Sequence, residues 1–165
     1  MKALLAADGS SYTKKALGWL MANQPMEGAD DELIVVHVQA HIPPRVRAAV
    51  GTNVVREYHE EEAAKVLAPI EKFLKRHKVS YQTLWVTGVP SEEILKIAKK
   101  QKVHQIVMGT HGHGILGRAL MGSVAQNVVQ DGLLFAGHSE SFLHAADLFR
   151  SLGRTVYERT PARVR

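Results

Sequence analysis

Four short strand-patterned runs, each parted from the next by a helix-patterned stretch, constrain this chain more than any other feature. Leu4 to Ala7 is the first, closed by Asp8-Gly9-Ser10-Ser11. Glu32-Leu33-Ile34-Val35-Val36-His37-Val38 is the second; it is continuous, β-branched and bounded by turn residues, as a strand buried on both faces requires. Tyr81 to Val86 and Gln105-Ile106-Val107-Met108 are the third and fourth. Between them lie helical stripes: Ala16, Leu17, Leu20 and Met21; then Val55, Ala63, Val66, Leu67, Ile70 and Leu74; then Ile94, Ile97 and Ala98. Gly88-Val89-Pro90-Ser91-Glu92-Glu93 opens the third of these, with proline near the first turn and acids that suit the helix dipole. Pro43-Pro44 and Gly51 mark residues 40–52 as an irregular loop. Strand–helix alternation of this kind predicts an α/β domain with an open, doubly wound parallel sheet.

At 165 residues the chain suffices for one domain with a core. No stretch approaches the roughly 20 apolar residues of a membrane-spanning helix. The Leu4–Ala7 run is short and stopped by an acid, so it reads as a strand rather than a signal peptide, and cytoplasmic is the expected location. There is no cysteine, which excludes disulfides, thiolate catalysis and cysteine metal sites. The formal charge of +5 suits an anionic small ligand as well as nucleic acid. No segment combines clustered Lys/Arg with interleaved aromatics, so nucleic acid is not an expected partner, nor is a membrane.

The chemistry-bearing stretch runs from Met108 to Ser123: MGTHGHGILGRALMGS. It follows a strand and precedes a helix-patterned segment from Gly122 to Val129, the place where open α/β sheets bind phosphates. Glycines let the backbone approach an anion, and amides at a helix start point toward it. Ser123 adds a hydroxyl, while Arg118, His111 and His113 add charge or donors. The plain alternative is a flexible glycine turn without a ligand.

Three templates compete here. The P-loop pattern almost fits Gly112 to Ala119, but Arg118 stands where its lysine belongs and Ala119 where its hydroxyl belongs. The dinucleotide fingerprint fits Gly112-His113-Gly114-Ile115-Leu116-Gly117 literally and implies an NAD-type oxidoreductase, yet little chain remains to complete a dinucleotide half. The third template is the spacing Gly109-x2-Gly112-x9-Gly122-Ser123. With an Asp8-containing turn after the first strand, Gly88-Val89-Pro90 after the third and Ser123-Val124-Ala125 opening the next helix, the chain resembles the universal stress protein family, in its ATP-binding branch, over residues 1–129.

That resemblance implies a five-stranded parallel sheet of order 3-2-1-4-5, usually in a homodimer, with ATP or AMP between strands one and four. It implies Asp8 near the ribose and base, Val38 against the adenine, Gly109 with neighbouring Met108 at the ribose, and Gly112, Gly122, Ser123 and Val124 at the phosphates. Mg²⁺ would come with those phosphates. The implied role is regulatory nucleotide binding in the stress response, not fast turnover; the alternative is a partner-docking module of the same fold.

Other residues have plainer readings. Asp8 also suits a cap for the Ser10–Leu20 helix, and Ser10 and Ser11 read as caps rather than nucleophiles. His37 reads as a hydrogen-bonded core residue, Trp19 and Trp85 as packing. Glu60-Glu61-Glu62 and Lys99-Lys100 read as solvated helix faces. His111-x-His113 is the only tight histidine pair and lacks a third ligand, so no metal site is expected.

After Val129 the family pattern breaks. Residues 1–129 hold eleven Lys and five Arg; residues 130–165 hold five Arg and no Lys. Leu133 to Ala136 stands in for the fifth strand without a valine or isoleucine, and Phe142, Ala145, Ala146, Phe149 and Leu152 form a helical stripe in residues 139–156. The expected division is a nucleotide-binding domain over 1–129 and an atypical segment over 130–165, packed on it or part of it. A shifted reading frame or a recent replacement would produce such a boundary. An uninterrupted frame in independent isolates, with no family-like strand in another frame, would dismiss that origin.

Overall fold

The structure, a computed structural model, describes residues 1–23, 26, 28–109, 122–130 and 135–136. The elements run β1 (Lys2–Ala6), α1 (Ser11–Asn23), β2 (Glu32–Gln39), α2 (Pro44–Val50), α3 (Thr52–Arg76), β3 (Tyr81–Thr87), α4 (Pro90–Gln101), β4 (Gln105–Val107), α5 (Ser123–Gln130) and β5 (Phe135–Ala136). The strands form one sheet in the order β3-β2-β1-β4-β5, and every pairing is parallel.

Helices on both faces explain why the inner strands β1 and β2 carry unbroken buried apolar runs rather than alternating ones. Ala3, Leu5, Leu33, Val35 and Val107 turn to the face covered by α1 and α3, where Leu17, Leu20, Leu67, Ile70 and Leu74 close a core. Leu4, Ala6, Ile34, Val36 and Ile106 turn to the other face, against Ile94, Leu95 and Ala98 of α4 and Ala125 and Val128 of α5. Leu4, Leu5, Ile34 and Val35 are completely buried, each contributing about 1.5–3 kcal/mol by area, so neither face dominates.

The fifth strand is present as two residues, with Ile106 opposite Phe135 and Val107 opposite Ala136. Backbone pairing to β4 asks little of side-chain type, so a run without valine or isoleucine completes the order. Residues 40–52 are not the irregular loop their prolines and glycine suggest: Pro44 takes the first position of α2, where a missing N–H costs nothing, and Gly51, at φ +91°, separates α2 from α3. α2 buries none of its residues. The helical stripe over residues 139–156 lies outside the described residues. Among the described residues, no helix is long and apolar enough to cross a membrane.

Candidate functional site

Strand order reverses direction at β1: the chain leaves β1 for β2 and β3 on one side, then returns to β4 on the other. In open α/β sheets such a switch point leaves a crevice beyond the carboxyl ends of the strands. Leu4 pairs with Ile106 and Leu5 with Val107, so the segments after β1 and β4 leave the same edge side by side.

The exit of β1 is pinned from both sides. Ala7 N–H donates to the Val36 carbonyl at 2.8 Å, and the His37 Nδ1–H donates to the Ala7 carbonyl at 2.8 Å. His37 is thus the buried, hydrogen-bonded core residue its strand position implies. Asp8 then closes a tight turn. Its Oδ1 accepts from Ser10 N–H at 2.9 Å and from the Thr13 hydroxyl at 2.6 Å, while its own N–H donates to Thr13 Oγ1 at 3.1 Å. The N-cap of α1 is Ser10, whose Oγ accepts Thr13 N–H at 3.4 Å, so Asp8 orders the helix start through Thr13 rather than as the cap itself. Gly9 supplies the turn's left-handed residue at φ +81°.

Beside this turn, Val38 is half-buried near the end of β2, in register with Val86 of β3. Its neighbour Gln39 is held twice: its carbonyl accepts Gly88 N–H at 2.8 Å, and its side chain exchanges two hydrogen bonds with His59 of α3. Gln39 Nε2 donates to the His59 carbonyl at 2.8 Å, and His59 Nδ1–H donates to Gln39 Oε1 at 2.7 Å. The His59 ring also stacks on Trp85 at 6.0 Å, so Trp85 packs, as does Trp19.

On the β4 side, Met108 is buried and Gly109 half-buried. Gly122 takes the N-cap position of α5, its carbonyl accepting Gln126 N–H at 2.9 Å. Ser123 is exposed in the first turn, and Val124 is half-buried against the α4–α5 core, as is Val38, while Met108 is buried within it. The amides of Ser123, Val124 and Ala125 have no carbonyl four residues back within α5, and an N-cap glycine brings no side-chain acceptor to them. Gly112 and Arg118, with His111 and His113, lie outside the described residues.

The structure therefore gathers Asp8, Val38, Met108, Gly109, Gly122, Ser123 and Val124 onto elements that border one end of the sheet. Chemically they offer amide and hydroxyl donors on one side and a positioned carboxylate on the other, a set suited to a phosphorylated polyol. Among the described residues, no three His, Asp or Glu side chains gather as a metal site. Thr13, Gln39 and His59 are supporting residues that motif spacing does not single out. The available signal was position: His59 continues the apolar stripe Ala63, Leu67, Ile70 and Leu74, and a polar residue on such a stripe needs an internal partner.

Comparison with known proteins agrees with this architecture. The universal stress protein family model matches residues 1–132. Universal stress protein MJ0577 of Methanocaldococcus jannaschii is 37% identical over 144 residues, covering 78% of this chain and 88% of its own. The solved structure of MJ0577 aligns with a TM-score of 0.69 at 31% identity, over 81% of this chain and 92% of that one. Universal stress protein MJ0531 of the same organism is 31% identical over 131 residues, 79% of this chain and 76% of its own. Two more distant structures share the fold: a family protein from Arabidopsis thaliana with AMP bound (TM-score 0.56, 20% identity, 82% of this chain and 89% of that one) and a universal stress protein in complex with cAMP (0.55, 20%, 84% and 97%). Separately, a 27-residue stretch, 16% of this chain, is 67% identical to a part of chemotaxis protein methyltransferase 2 of Pseudomonas aeruginosa that makes up 10% of that protein.

Proposed function

This chain belongs to the universal stress protein family, and from that premise we propose that it is a regulatory binder of ATP or AMP without fast turnover. The observation that carries the reading is the start of α5 at Ser123, capped by Gly122, on the β4 side of the switch point whose β1 side holds the Asp8 turn. This is the helix start that the stress-protein spacing requires. The dinucleotide fingerprint would end at Gly117 and open its helix there, so the NAD reading gains nothing from it.

Asp8, Val38, Met108 and Gly109 would take the ribose and base. Gly112, Gly122, Ser123 and Val124, with Arg118, would take the phosphates, and Mg²⁺ would enter with them. AMP and cAMP in proteins of the same fold support an adenine nucleotide as the ligand class. A homodimer and a cytoplasmic location belong to this proposal as family-like expectations. So does the division after residue 129, which the end of the family match at residue 132 supports. The stretch similar to chemotaxis protein methyltransferase 2 makes up a tenth of that protein, and no methyltransferase activity belongs to this proposal.

A thermal-shift titration with ATP, AMP and NAD, each with and without Mg²⁺, tests the reading. A ligand selective for the native state at 100 times its Kd adds about 2.7 kcal/mol, or roughly 5–10 °C for a chain of this size. We expect that shift with ATP or AMP and none with NAD. Gly122→Val should abolish it, and Ser123→Ala should weaken binding by about 1 kcal/mol, one hydrogen bond. Full ATP affinity in folded Gly122→Val protein would refute the phosphate site.

A further inference from the structure

Six polar residues are buried among the described ones: Ser10, Thr13, His37, His59, Ser91 and Gln105. Five are engaged by partners. Ser10 caps α1, Thr13 bonds Asp8, His37 bonds Ala7, His59 bonds Gln39, and Gln105 is also engaged. Ser91 is the exception. It is 7% exposed, yet its hydroxyl has no hydrogen bond among the described residues. A buried hydroxyl without a partner is costly, and native proteins keep few of them, so each asks for a reason.

Its position supplies one. Ser91 stands in the first turn of α4, on the stripe that continues through Ile94, Leu95 and Ala98 into the core shared with α5. The first turn of α4 is tied to the end of β2: Val38 pairs with Val86, and Gly88 N–H donates to the carbonyl of Gln39. Val38, Met108 and Val124 border that same core. No side chain caps α4, whose N-cap is Val89.

We propose that the Ser91 hydroxyl is completed by ligand, as a hydrogen-bond partner of the polar edge of the nucleotide base lying against Val38. This rests on the nucleotide reading and deepens it, since a buried donor–acceptor at the base edge makes Ser91 a specificity-determining residue. A hydroxyl donates and accepts, so it serves a base edge that presents either kind of group.

The test measures binding of ATP and of inorganic tripolyphosphate, which has no base, to wild type and to Ser91→Ala, together with the melting temperature of each free protein. Removing an unsatisfied hydroxyl should leave the free protein as stable or more so. We expect ATP affinity to fall about five- to tenfold, one hydrogen bond's worth, while tripolyphosphate affinity stays unchanged. Equal ATP affinity in the two proteins overturns the assignment of Ser91 alone. A parallel loss for both probes also overturns it, because the effect then belongs to the phosphate end or to general distortion. Wild-type protein that binds neither probe overturns the nucleotide reading itself.

Discussion

Gly9 offers a sharp test of how the β1–α1 turn is built. Its φ of +81° lies where a side chain costs about 1–2 kcal/mol. A Cβ added there would stand 3.1 Å from Val66 Cγ2, close enough that the partly buried valine must yield by a few tenths of an ångström. Gly9→Ala should therefore lose about 2 kcal/mol of stability, equivalent to roughly 4–8 °C in Tm for a chain of this length. The same substitution at Gly18 should do the reverse. Gly18 is exposed inside α1, and an added methyl there would meet nothing within 4 Å, so alanine should gain about 0.5–1 kcal/mol from helix propensity. Urea unfolding of both variants, and of Gly9→Ala combined with Val66→Ala, separates the terms: the double variant removes the contact and keeps the backbone cost. Gly9→Ala within about 0.5 kcal/mol of wild type would refute the account of the turn, because the left-handed cost alone exceeds that.

Two further outcomes follow from the opposite end of the sheet. Lys102 closes α4 in the left-handed conformation at φ +53°, where glycine carries no penalty, so Lys102→Gly should raise stability by about 1 kcal/mol in the same unfolding assay. The Gln82 side-chain amide, and after it Lys2 at 2.9 Å, hold the Glu32 carboxyl below its ordinary pKa. A depressed carboxylate pKa gives stability that is fully present above the unfolded value of about 4.3 and is lost as pH falls through the folded one. Glu32→Gln should therefore flatten the acid limb of stability against pH below about 4.5, while leaving the slope near neutrality unchanged.

Much of the fold was legible along the chain because the forces that decide strands and helices are local in pattern. The unbroken β-branched run ending at Val38 requires cover on both faces, and the stripe from Ala63 to Leu74 has one apolar side; both hold. Pro43-Pro44 misled, since proline ends a helix from within and also starts one at its first position, and only the surrounding chain selects between them. The glycine spacing from Gly109 to Gly122, on which the proposed site rests, is likewise a local pattern. Close backbone approach asks for glycine at set intervals, and intervals are written in sequence.

What the sequence determined by itself is the alternation of the strands with α1, α3 and α4 and the parallel doubly wound class. What the tertiary structure decided is partnership across distance. Asp8 and Ser10 meet Thr13 within one turn, but Gln39 meets His59, and Ala7 meets His37, only after β1, β2 and α3 have packed. Ser91 reads in sequence as one more polar residue at a helix start; burial without a partner among the described residues is a property of its surroundings. Hydrogen-bond satisfaction is settled by which groups share a space from which water is excluded, and no periodicity encodes that.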